Sequence, residues 1–147
     1  MQDYDSPGAV ALTPPTDLPS GEHWVERIRR ASGPPDEVLP ELVLLYVAGW
    51  RWGPLAPLHR PSTGDPKEAE RLLGETLGGF AELLRRWHVE ERLVVEDPEA
   101  EALRLIGPVQ LLLTTRLSLG AEDVLPGLEI EAFARAHAWD FAAARLP

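Results

Sequence analysis

Apolar residues recur at helical spacing in five stretches of this chain, and the stretches are separated by glycine, proline and acidic clusters. The first is "EHWVERIRRAS", which sets Trp24, Ile28 and Ala31 on one face of a short helix that "GPP" at 33–35 ends. The second, "DEVLPELVLLYVAGWRW", has Asp36 as an expected N-cap and is apolar on nearly every side from Leu42 to Trp52, the pattern of a central, buried helix. A proline-rich connection over 53–66 leaves room for one helical turn around Leu55–His59. The third helix, expected over about Lys67–His88, gathers Ala69, Leu72, Leu73, Thr76, Leu77, Phe80, Leu83, Leu84 and Trp87 in one arc, with Gly74 and Gly78 facing away.

The fourth helix is expected to start at Asp97-Pro98, with aspartate as the cap and proline in the first position. It runs into the most apolar part of the chain, "RLIGPVQLLLTTRLSLG", where Ala102, Leu105, Ile106, Val109, Leu112, Leu113 and Leu117 line one side. Pro108 removes one backbone donor there and is expected to kink the helix. Arg116 falls inside the apolar arc, a position typical of an interface rim or of a pairing with an acid. The last helix, Leu128–Leu146, is apolar on two sides. One carries Ile130, Phe133, Ala134, His137 and Phe141; the other carries Ala132, Ala136, Trp139, Ala143 and Leu146. One small core covers only one of these sides, so the alanine-rich second side points to a helix-on-helix contact with another copy, unless a neighbouring helix of the same chain covers both. The fold class that follows is all-α, a bundle of about five to six helices over residues 22–147, preceded by an arm over 1–21 that has four prolines and no apolar period.

Composition narrows the function classes. A chain of 147 residues with 44% hydrophobic and 26% charged residues suits a single soluble domain. Gln110 and Arg116 interrupt the best candidate for a membrane span. Zero cysteines exclude disulfides and thiolate metal sites, and with no signal-peptide pattern at the N-terminus the default location is cytoplasmic. The net charge of −10 leaves no basic domain, and the three arginines of "ERIRR" read as a solvated helix face, so no nucleic-acid binding is expected of this chain alone.

"DPEAEALRLIGPVQLLLTTRL", followed by a loop and an apolar last helix, resembles the C-terminal domain of TetR-type transcriptional regulators. In that family a long helix with a central Gly-Pro and a following arginine packs with the final helix against their symmetry mates. The match here falls on Gly107, Pro108 and Arg116. The resemblance implies a homodimer whose interface holds Leu105, Val109, Leu112, Leu113, Arg116, Ala132, Ala136, Trp139 and Ala143. It also implies a pocket for a small apolar or aromatic effector among Tyr46, Trp50, Trp52, His59, Phe80 and Trp87, with His88 nearby; residue by residue the aromatics favour a filled core, with His59 and Trp52, beside the irregular segment, as the expected pocket rim. Residues 1–21 hold nothing like the family's helix-turn-helix reader, so the chain reads as the effector-binding and dimerisation half or as a relative without a reader.

Enzyme chemistry finds no foothold in the sequence. His23, His59, His88 and His137 lack metal-ligand spacing, and Glu90–Glu91 and Glu122–Asp123 adjoin loops as solvated acids. There is no nucleophile elbow, phosphate loop, dinucleotide fingerprint or other cofactor signature. The reading is therefore a ligand-sensing or dimerising regulatory domain, with an α-helical adaptor for a different protein as the alternative.

Overall fold

The computed structural model describes residues 18–147, so the arm read over 1–21 lies, up to residue 17, outside the described residues. Its last residues belong to the folded part, because Leu18 is half-buried against the core. Five helices follow: α1 Gly21–Arg29, α2 Pro35–Arg51, α3 Pro66–Val89, α4 Pro98–Leu113 and α5 Ile130–Ala143. Two short 3-10 turns, Ala56–Leu58 and Pro61–Thr63, shape the proline-rich connection, and Thr114–Ser118 continues α4 as one π-helical turn. The described residues contain no strand, as an all-α reading requires.

Four of the five helix starts have a local cause. Asp65 accepts the Lys67 amide at 3.0 Å, Asp97 the Ala100 amide at 3.2 Å and Glu129 the Ala132 amide at 3.0 Å, which satisfies donors that the first turn leaves free. Asp36 does not cap α2. The helix begins one residue earlier at Pro35, whose fixed φ and missing N–H suit the first position, and Asp36 joins the first turn. Between α1 and α2 the chain reverses at Gly33, whose φ of +123° is open to glycine alone.

The pattern of packing follows from the apolar faces. α1 lies on α3, α3 on α4, and α5 packs most extensively on α2 and less on α4. Trp24, Ile28, Leu39, Val43, Tyr46 and Val47 meet Phe80, Leu83, Leu84 and Trp87 in one continuous core with Leu105, Val109, Ala134 and Ala138. Gly49 lets the Trp24 indole of α1 lie directly on α2, since a Cβ there would come within 2.3 Å of the ring. Gly74 and Gly78 face solvent with no atom within 4 Å of an added Cβ, as the arc of α3 requires.

Polar links between helices complete the bundle. The Trp24 indole donates to the Thr76 hydroxyl at 2.9 Å, fully buried between α1 and α3. Arg51 meets Glu131 through two hydrogen bonds of 2.7 and 3.2 Å between α2 and α5. Arg145, its guanidinium 3.7 Å over the Phe141 ring, grips Glu101 at 2.6 and 3.1 Å and ties the end of the chain to the first turn of α4. These contacts hold the Glu101 carboxyl below its usual range, chiefly through Arg145 and also through Arg104. Among the described residues no helix is long and apolar enough to cross a membrane.

Candidate functional site

The site begins with the proline in α4. Pro108 has no N–H, so the carbonyl of Arg104 loses its intrahelical donor. The helix nevertheless continues unbroken from Pro98 to Leu113. His137 of α5 explains how, because its Nε2 sits 3.2 Å from the Arg104 oxygen and 3.0 Å from the Leu105 oxygen, donating where the proline does not. The ring is held in place by Phe133, stacked on it at 5.7 Å and 3°. Gly107 and Pro108 thereby stay at the helix surface, with nothing within 4 Å of an added Cβ at Gly107.

That surface is apolar. Leu103, Gly107 and Leu111 succeed one another a turn apart on the outer face of α4, and Leu103 and Leu111 are 61% and 69% exposed. Beside Leu111 lies a slot of about 310 Å³, walled by Pro108, Leu112, Thr115, Val124, Leu128 and Phe133, with Leu125 at its edge, 63% exposed. Not one charged side chain lines it. Arg116 builds the far wall from below: its guanidinium donates to the Val124 oxygen at 3.2 Å and to the Leu125 oxygen, holding Leu125 at a φ of +50° that non-glycine residues seldom adopt.

Several of the interface residues expected from the sequence lie elsewhere. Leu105, Val109 and Leu113 have no exposed surface and Leu112 has 7%, because α4 turns that side toward the other helices of its own chain. Leu105, Val109 and Leu113 belong to the core, and Leu112 keeps only an edge at the slot wall. Arg116 braces the loop, pairing with carbonyls in place of an acid. On α5 the second side does face outward: Ala132, Ala136 and Trp139 are exposed and Ala143 is half-buried. Leu103 and Leu111 were hidden from periodicity, since an exposed leucine within an apolar run carries no sign of its exposure.

The expected effector residues form part of a filled interior. Tyr46, Phe80 and Trp87 are fully buried, and Trp50 retains 3% exposure. Tyr46 and Phe80 meet edge to face at 6.5 Å, and Trp50 stacks on His59 at 5.9 Å while His59 Nε2 bonds the Trp50 carbonyl. His59 and Trp52 are half-buried beside the connection. The Tyr46 hydroxyl donates to Gln110, which donates onward to Thr114 at 2.9 Å, so a polar thread crosses from α2 to α4 inside the aromatic cluster. Burial pushes the Tyr46 phenol far above its usual range, with the Trp50 indole offsetting a part, so it remains a neutral donor. His88, expected near the pocket, is exposed and accepts the Val95 amide at 3.0 Å on its Nδ1.

A second surface lies between α2 and α5. A groove of about 660 Å³ has Pro40, Ala132 and Ala136 as its floor and Trp139, 54% exposed, as its wall. Asp36, Glu37, Glu41 and Asp140 surround it, with Arg135 as its one cation. Among the described residues no group of three or more histidines and carboxylates stands where it could hold a metal ion. Comparison of the chain with family models, curated proteins and solved structures found no match.

Proposed function

We propose that this chain is a self-associating interaction module, pairing with a second copy through the outer face of α4 and the slot beside it. The observation that carries this reading is the set of leucines at positions 103, 111 and 125, each more than three-fifths exposed, of which Leu111 and Leu125 line an uncharged slot. Burying a leucine side chain is worth about 1.5–3 kcal/mol, and in a two-fold contact every such residue counts twice. An uncharged patch is where two copies of charge −10 approach at least electrostatic cost. Gly107, between Leu103 and Leu111, gives a crossing point where two α4 helices come close. The regulatory role implied by the TetR resemblance is carried as far as this pairing. Effector sensing would require an aromatic cluster that is now filled by its own side chains to open.

Sedimentation equilibrium at about 50 µM tests the proposal, on the scale at which a micromolar dimer is fully formed. Wild type is expected to sediment as a dimer. Leu111→Glu and Gly107→Glu should both be monomeric with unchanged helical circular dichroism, because each position faces solvent in the monomer. Val109→Arg, by contrast, should unfold the chain, since Val109 is fully buried. A monomeric wild type, or variants at Leu111 and Gly107 that remain dimeric, refutes the assignment.

A further inference from the structure

The groove between α2 and α5 differs in chemistry from the α4 slot. We infer that it is a docking site for a cationic segment of a different protein chain, one that lays an arginine or lysine against the Trp139 indole between the carboxylates of α2 and Asp140. Four acids and one arginine face the groove, a local charge of −3 from the lining residues. None of Asp36, Glu37, Glu41 and Asp140 forms an ion pair among the described residues, although acids elsewhere on the surface do so with Arg29, Arg30, Arg51, Arg71, Arg86, Arg104 and Arg145. Their charge is therefore available to a visitor.

Three further features favour a cation with an apolar stem. The half-exposed Trp139 offers a π face, and indole is the best aromatic partner for a guanidinium or ammonium. Pro40, Ala132 and Ala136 supply an apolar floor along which the methylenes of a long basic side chain can lie. Pro40 also deprives the Asp36 carbonyl of its helical donor, and both residues line the groove.

A second copy of the chain is disfavoured here, because it carries the same excess of acid. The neighbouring groove between α1 and α2 shares Glu37 and Glu41, but Arg27 and Arg30 line it beside Glu26, a net charge of −1 against −3 around Trp139, so a basic segment is drawn more strongly to the Trp139 side.

The test uses the full chain and a short, fluorescently labelled peptide of alternating arginine and leucine, with the glutamate-for-arginine peptide as its control. Binding is followed by anisotropy, and the indole N–H signal of Trp139 by NMR. The arginine peptide should bind, shift the Trp139 signal, and weaken with rising salt. Trp139→Ala and the double variant E37R/E41R should each weaken it by about tenfold or more, since both change exposed side chains and leave the fold intact. Leu111→Glu, at the α4 face, should bind the peptide as wild type does. The inference is overturned if the arginine peptide fails to bind at low salt, if the control peptide binds equally well, or if neither groove variant weakens binding. A change in oligomeric state caused by E37R/E41R also overturns it, by assigning the groove to a second copy.

Discussion

His137 and Pro108 are expected to be energetically coupled, and a double-mutant cycle measures this directly. His137→Phe keeps a ring to stack on Phe133 and removes the donor, leaving the Arg104 oxygen with neither a helical nor a side-chain partner. The Leu105 oxygen is less affected, because Val109 supplies its helical amide. The Arg104 oxygen lies at an exposed position where water can replace the imidazole, so the loss is the net worth of one hydrogen bond, about 0.5–1 kcal/mol. In a Pro108→Ala background the new amide at 108 reaches the Arg104 oxygen, so the same His137→Phe change should cost only a few tenths. The coupling is thus about 0.5 kcal/mol. Urea unfolding of the four proteins reads it, with Leu111→Glu added to all four so that association does not enter the stability. Equal penalties in both backgrounds, within about 0.3 kcal/mol, would show that His137 does not serve the proline's orphaned carbonyl.

Three other outcomes follow from the packing. Glu101→Gln should destabilise by about 1–2 kcal/mol at neutral pH; because the folded carboxyl titrates below its unfolded value, this stabilisation is present above the unfolded pKa and lost as pH falls through the folded one, so wild type and variant should converge in acid melts from about pH 5 downward. Thr76→Val should cost about 1–3 kcal/mol by stranding the buried Trp24 indole, whereas Thr76→Ser should largely restore thermal stability; equal melting of the two would refute the role of that hydrogen bond. Gly49→Ala should destabilise by about 1–3 kcal/mol through its clash with Trp24, while Gly74→Ala and Gly78→Ala, in open space on α3, should each stabilise by up to about 1 kcal/mol in denaturant titrations.

The helices were legible in the sequence because their causes are local. Asp97-Pro98 capped and opened α4 as read, the arc of α3 faced the core with Gly74 and Gly78 outside it, and the proline-rich connection held its turn at Ala56–Leu58. What covers an apolar side is a non-local fact. The periodicity of α4 identified Leu105, Val109 and Leu113 as a buried side but could not say whether the cover came from the same chain, and the chain's own helices supply it. Gln110 and His137 went unassigned for a related reason, since each finds its partner on a helix far away in sequence. The aromatics on α2 and α3 were read both as a pocket and as a core, and Tyr46, Phe80 and Trp87 retain no exposed surface because neighbouring helices pack against them.

The pairing of α5 with α2 has a kinetic side. α3 and α4 meet as neighbours along the chain and α1 reaches α3 across 52 residues between Trp24 and Thr76, but α2 finds its largest partner only after two intervening helices, across 80 residues between Arg51 and Glu131. Closing so long a loop is entropically slow compared with joining adjacent helices. During that interval α2, apolar nearly all round, has its α5-facing side bare to solvent, and an intermediate in which the other helices have collapsed would be sticky. Weakening the α2–α5 seam therefore acts on the lifetime of that species as well as on the stability of the final fold, and concentration during refolding governs how much of the chain reaches it.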